Sequence, residues 1–216
     1  MSISTVILGE SGTGKTASLR NLKAAETLLI QIVKKPLPFR SPDWGYWDKE
    51  AKTGNIIVSD NWEFILKAIK STSKKIIVID DFQYVMANEF MRRSEEKGFD
   101  KFSDIGRHAW EIFMAVNKLP DDVRVYILCH TQTDEQGGIR LKTIGKLLDD
   151  KITPEGLFTI VLRTSVSDGA YTFTTKNNGR DTVKTPIGLF ESERIENDLN
   201  QVDQEIQNYY GIGESK

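Results

Sequence analysis

One octapeptide constrains this chain more than any other feature. Positions 9–16 are Gly9, Glu10, Ser11, Gly12, Thr13, Gly14, Lys15 and Thr16, and they match G-x-x-x-x-G-K-[ST] at every fixed position. The glycines let the backbone fold round an anion, so that consecutive amides and a helix N-terminus face phosphate. Lys15 is then placed to reach β- and γ-phosphates, and the Thr16 hydroxyl to hold Mg²⁺. The flanks agree with this. The apolar run 3–8 predicts a buried strand, and 15–25 predicts a helix ending before the apolar run 28–33. A Gly-rich turn without a ligand is the bland alternative, but the complete motif between strand and helix points to a bound nucleoside triphosphate.

The alternation continues downstream. Strands are predicted at 27–33, 55–58, 76–81 (ending in two carboxylates) and 123–130. Helices are predicted from an Asp60 or Asn61 cap through Lys70, over 82–93 and over 103–118, the last with Ala109, Ile112, Phe113 and Val116 on one face. The segment 34–53 carries Pro36, Pro38 and Pro42 with Trp44, Tyr46 and Trp47, a density of proline that reads as loop. Strands at 158–167 and 170–176, joined by Ser167, Asp168 and Gly169, read as a hairpin. A last helix over 191–210 sets Ile195, Leu199, Val202, Ile206 and Tyr209 in one stripe, for packing on the body or on a neighbouring subunit. The fold class is therefore α/β: a mostly parallel sheet flanked by helices, with a C-terminal antiparallel hairpin and terminal helix.

Composition sets the boundaries. The 216 residues suffice for one domain with a proper core, 39% of them hydrophobic and 28% charged. The apolar runs are too short to cross a bilayer, and the N-terminus runs straight into the first strand with no signal peptide. Cys129 is the single cysteine, which excludes an intramolecular disulfide and fits a reducing cytoplasm. It lies within an apolar run and reads as buried filler rather than a reactive thiol. The net charge of -2 hides an asymmetry, because positions 191–216 carry -5 and positions 1–190 carry +3. We accordingly divide the chain into a core over 1–190 and an acidic helix and tail over 191–216. A mildly basic body with an acidic tail suits a nucleic-acid binder, and equally an ordinary solvated terminal helix.

Further candidates lie at strand ends. Four apolar residues lead into Asp80, whose carboxylate is placed to hold Mg²⁺ through water; a turn-forming Asp is the alternative. Asp81 could polarise an attacking water, or cap the next helix. His130, with Thr131 and Gln132, emerges from the strand 123–129 where a polar group can sense a γ-phosphate, or simply bond backbone. Lys176 and Arg180 come after the second hairpin strand and could reach a neighbouring subunit's phosphate, or form a solvated basic turn. Two polar loops are candidates for nucleic-acid contact: 92–104, with Arg92, Arg93, Lys97 and Lys101, and 133–150, with Arg140, Lys142 and Lys146. Phe99 and Phe102 could stack on bases, or pack in the core.

Together these residues resemble the small phage-encoded ATPases of the RecA superfamily. The likeness rests on the short first strand with its P-loop, on 77–84 (Ile-Val-Ile-Asp-Asp-Phe-Gln-Tyr), on the long helix into Leu119 and Pro120, on 129–132 (Cys-His-Thr-Gln) and on 185–190 (Thr-Pro-Ile-Gly-Leu-Phe). It implies a P-loop NTPase with a RecA-like core. The P-loop and Asp80 would bind Mg-ATP and His130 would occupy the sensor position. The loops after Asp81 and His130 would contact DNA, and Lys176 and Arg180 would act across a subunit interface. The catalytic Glu of RecA has no clear counterpart, and no equivalent of RecA's N-terminal polymerisation segment is expected before the strand at Ile3, so the oligomer implied is a ring or a filament.

The resemblance thus implies a cytoplasmic, ATP-binding protein of phage recombination. It would anneal or exchange single-stranded DNA as a homo-oligomer, beside the phage's single-stranded DNA-binding protein and without a membrane. A hexameric helicase or loader-type motor is the alternative, and a small-substrate phosphotransferase a third class that the second acid and the hairpin fit poorly.

Overall fold

The computed structural model describes residues 1–144 and 152–213. Lys146 and the rest of 145–151, together with Glu214 and Lys216, lie outside the described residues. The strands are β1 (Ile3–Leu8), β2 (Thr27–Gln31), β3 (Ile56–Val58), β4 (Ile76–Asp80), β5 (Arg124–Cys129), β6 (Thr131–Thr133), β7 (Ile139–Leu141), β8 (Ile160–Ser167), β9 (Ala170–Thr174) and β10 (Arg194–Glu196). The α-helices are α1 (Trp62–Ser71), α2 (Gln83–Arg92), α3 (Asp100–Val116) and α4 (Leu199–Tyr210).

Eight strands form one sheet in the order β3-β2-β4-β5-β1-β8-β9-β10. All pairings from β3 to β8 are parallel, and β9 runs antiparallel to β8 and β10. The turn between β8 and β9 places Asp168 and Gly169 at φ 53° and 79°, the left-handed pair that a tight hairpin requires. β6 and β7 form a separate antiparallel pair within the loop expected after His130.

Side chains alternate across a strand, so a parallel sheet covered on both sides needs apolar residues at nearly every position. Val6, Ile77, Ile79, Val125 and Ile127 pack under α1, α2 and α3, through Ile65, Ile69, Val85, Met86, Ile105, Ala109, Ile112, Phe113 and Val116. Ile7, Ile76, Val78, Tyr126 and Leu128 face the other side, where Leu19, Leu22, Leu199, Val202 and Ile206 cover them. Asn61 caps α1 by accepting from the Phe64 amide at 2.8 Å. Cys129 is buried, and burial pushes its thiol well above the ordinary value, in keeping with packing rather than reactivity.

Two expected helices differ. The helix predicted over 15–25 is instead two short 3₁₀ segments, Thr16–Asn21 and Ala24–Glu26. The sequence Thr-Ala-Ser-Leu-Arg-Asn offers polar residues that bond locally rather than extend a helix: the Ser18 hydroxyl donates to the Lys15 carbonyl at 2.6 Å. Arg20 donates to the Asn197 carbonyl and Asn21 to Asp198 at 2.7 Å, tying the segment to the chain before α4. The helix predicted from Glu191 begins at Leu199, and Arg194–Glu196 adds an edge strand instead. Asp198 is its cap, accepting from the Asn200 amide at 2.9 Å. Of the apolar stripe, Ile195 lies on β10 while Leu199, Val202 and Ile206 are spent on the core of the same chain.

Candidate functional site

Parallel strands end on one rim, and this rim gathers the segments leaving β1, β2, β4 and β5. A cleft of about 400 Å³ there is lined by Ser11, Gly12, Gly14, Lys15, Thr16, Ala17, Lys35, Pro38, Asp81, His130 and Tyr171. The loop 9–16 forms its floor. Gly12 and Gly14 take φ of 79° and 94°, a region that side chains resist. A Cβ on Gly14 would also stand 2.9 Å from the Tyr171 ring.

Lys15 is buried and folds back over its own loop, donating to the carbonyls of Gly9 at 2.8 Å and Glu10 at 2.7 Å. Burial draws its ammonium below the ordinary value, opposed by the charges of Asp81 and Asp80. The Thr16 hydroxyl donates to both carboxylate oxygens of Asp80, at 3.1 and 3.0 Å. Asp80 ends a fully buried strand. Desolvation, followed by the charge of Asp81, raises its carboxyl to about 6.

Asp81 stands at φ 62°, an uncommon conformation for a residue with a side chain and one that concentrates at functional sites. The alternative that its side chain caps the next helix does not hold: α2 has no side-chain cap. The Asp81 carboxylate instead accepts from Lys35 and pairs with His130 Nε2 at 3.3 Å. Burial alone would raise this carboxyl, but the bonds from His130 and Lys35 prevail and hold it at about 2. Lys35 responds in the opposite sense. Its partial burial is outweighed by the bond to Asp81 and its charge, and its ammonium rises above the ordinary value. The His130 amide bonds Gln83 Oε1 at 3.3 Å, and its ring meets Tyr84 edge-on.

Lys15, Thr16, Asp81 and His130 thus share one cleft, with Asp80 bonded to Thr16 beneath it. Lys176 and Arg180 do not line it. Lys176 donates to the Glu191 carbonyl at 2.7 Å, and Arg180 borders a separate cavity with Asp134, Arg140, Glu155 and Asp181. The bases of the first polar loop are largely engaged at home. Arg92 pairs with Asp60, Arg93 with Glu89, Glu96 and Asp104, and Lys101 donates to three backbone carbonyls. Phe102 packs on Phe90, while Phe99 is 86% exposed.

Sequence reasoning missed Lys35 and Tyr171. For Lys35 the available signal was its place in the chain, a cation just beyond the apolar run 27–33 at the end of a strand.

The donor set fits Mg²⁺. A hydroxyl and a carboxylate are hard oxygen ligands, and this ion is commonly held by one or two carboxylates completed by substrate phosphates and water. Among the described residues no group of three or more His, Cys, Asp or Glu side chains is placed to hold a metal. No helix among the described residues is long and apolar enough to cross a membrane. No protein-family model and no curated protein matches the chain.

Proposed function

We propose that this chain is a RecA-like P-loop ATPase that binds Mg-ATP at the cleft over 9–16 and acts on single-stranded DNA in phage recombination, annealing or exchanging strands. The observation that carries the nucleotide half is the meeting of Lys15, Thr16, Asp80, Asp81 and His130 at one rim from three strand ends. In this reading Lys15 leaves its own loop carbonyls for the phosphates, while Thr16 and Asp80 hold Mg²⁺. When bound, the ion neutralises charge on the phosphate oxygens. Tyr171 offers an aromatic face beside Gly14 for the base. His130 bonds to Asp81, so a change at the phosphates reaches β6 through the residue that precedes it.

Asp81 at about 2 is a weak base while Lys35 and His130 hold it, which accords with slow hydrolysis. The DNA half rests on the resemblance and on exposed groups of the loop 92–104, chiefly Lys97 and Phe99. Since the stripe on α4 is spent internally, a homo-oligomer with ATP between subunits, Lys176 and Arg180 acting in trans, is proposed on the resemblance alone.

The test is steady-state ATP hydrolysis with and without single-stranded DNA, for the wild type and Lys15→Ala. DNA-stimulated turnover that disappears in the variant is expected. Turnover indifferent to DNA, with no shift of a labelled oligonucleotide at low salt, would remove the recombination role and leave the nucleotide site.

A further inference from the structure

We infer that Lys35 is a second phosphate ligand, supplied by the same chain, which engages the terminal phosphoryl group of the nucleotide and which Asp81 holds ready. This rests on the nucleotide reading above and adds to it a residue outside the motif.

The sheet order carries the argument. Across the rim the strands run β9, β8, β1, β5, β4, β2. Tyr171 on β9 therefore bounds the cleft on one side of the glycine loop. His130 after β5, Asp81 after β4 and Lys35 after β2 bound it on the other. Phosphates belong on the side that holds the cations and the Thr16–Asp80 pair, which leaves the Tyr171 side for the nucleoside. The phosphoryl group farthest from the nucleoside then meets the residues farthest from Tyr171, and Lys35 is the cation there.

Lys35 also has the physical character of a ligand rather than a strut. Its side chain is about half exposed and lines the cleft, whereas its partner carboxylate is buried. Asp81 therefore keeps the ammonium charged and at the cleft wall. A phosphate adds a second acceptor in front of the same ammonium, and a charge-assisted bond of that kind is strong in a partly enclosed site. Pro38, three residues on, forms part of the same wall, and proline limits how far the segment carrying Lys35 can swing.

The discriminating measurement is calorimetric titration of ATP and of ADP, in Mg²⁺ buffer, into the wild type, Lys35→Ala, Lys35→Arg and the double variant Lys35→Ala with Asp81→Asn. Thermal melts serve as the folding control. The wild type should bind ATP more tightly than ADP. Lys35→Ala should weaken ATP about tenfold and ADP little, a loss of the size expected for one charge-assisted bond. Lys35→Arg should restore much of the preference. The double variant should still lack it, because the cation is gone whether or not Asp81 is charged. A preference unchanged in Lys35→Ala overturns the inference. So does one regained in the double variant, which would mean that Lys35 merely masks Asp81. Equal wild-type affinity for ATP and ADP overturns it while leaving the nucleotide site intact, and a wild type that binds neither removes both.

Discussion

Asp80 is held in the folded chain at an energetic loss. It ends a strand buried on all five residues, beside a second carboxylate, and its carboxyl is raised from 3.8 to about 6. Between these values the folded chain retains a proton that the unfolded chain releases, so stability falls as pH rises through the window and the penalty is complete above it. That gap corresponds to about 3 kcal/mol. Asp80→Asn should therefore be more stable than the wild type at pH 7.5 by up to about 3 kcal/mol in metal-free buffer, and the gain should shrink as pH falls toward 4. Urea denaturation at several pH values reads this directly, and parallel profiles for the two proteins would refute it. Asp81 has the opposite sign. Lowered from 3.8 to about 2, it contributes stability that is complete above its ordinary value and is lost progressively as pH falls from there through 2, below the range compared.

The glycine loop does not keep its shape alone, and the element that braces it is β8. Thr164 Oγ1 lies 2.6 Å from Thr13 Oγ1 and donates to the Leu8 carbonyl at 3.2 Å. A Cβ added to Gly9 would stand 1.9 Å from Thr164 Oγ1 and 3.2 Å from its Cβ. Gly9 is thus glycine because a neighbouring strand passes close, not because of its own dihedral angles. Gly9→Ala should displace the loop and abolish nucleotide binding with little effect on folding, and adding Thr164→Ala, which removes the nearer of two clashing hydroxyls and leaves Thr13 Oγ1 at 2.7 Å, should recover part of it. Fluorescent-nucleotide titration of the single and double variants is the check, and a single variant that binds like the wild type would disprove the brace. This contact also marks where sequence reading ends. The strands ending at Asp80 and Cys129 were legible to within a residue, and the cap of α1 was narrowed to Asp60 or Asn61, because local pattern determines them. The parts played by Thr164, Lys35 and Tyr171 were not, because each depends on which strand lies beside which. The 3₁₀ form of 16–21 was legible only in part: its local polar residues are in the sequence, but the ties to Asn197 and Asp198 that hold it lie far along the chain.

At the scale of the whole molecule, the two ends of the sheet do different work. The groups that line the cleft collect at the C-terminal rim, while the opposite end is locked by a buried ion pair. Arg124, the first residue of β5, makes two bonds of 3.0 Å to Asp203 on α4, and the Tyr126 hydroxyl donates to the same carboxylate at 2.6 Å. Arg124 and Asp203 are both nearly inaccessible. This cluster fixes α4 against the face of the sheet that the short 3₁₀ segments cover incompletely, so it belongs to stability rather than to the site. His130 lies six residues further along the chain, just past the other end of β5, about 20 Å away at the rise of a strand. Asp203→Ala leaves the guanidinium buried and unpaired, and should lower unfolding free energy by about 3–5 kcal/mol. The fraction that stays folded should bind nucleotide with wild-type affinity, since nothing at the rim has moved. Denaturant melts paired with calorimetric titration below the midpoint separate the two effects. A loss of affinity in fully folded protein would show that the far end of the sheet sets the geometry of the cleft, and that the division between a structural end and a ligand-binding end is wrong.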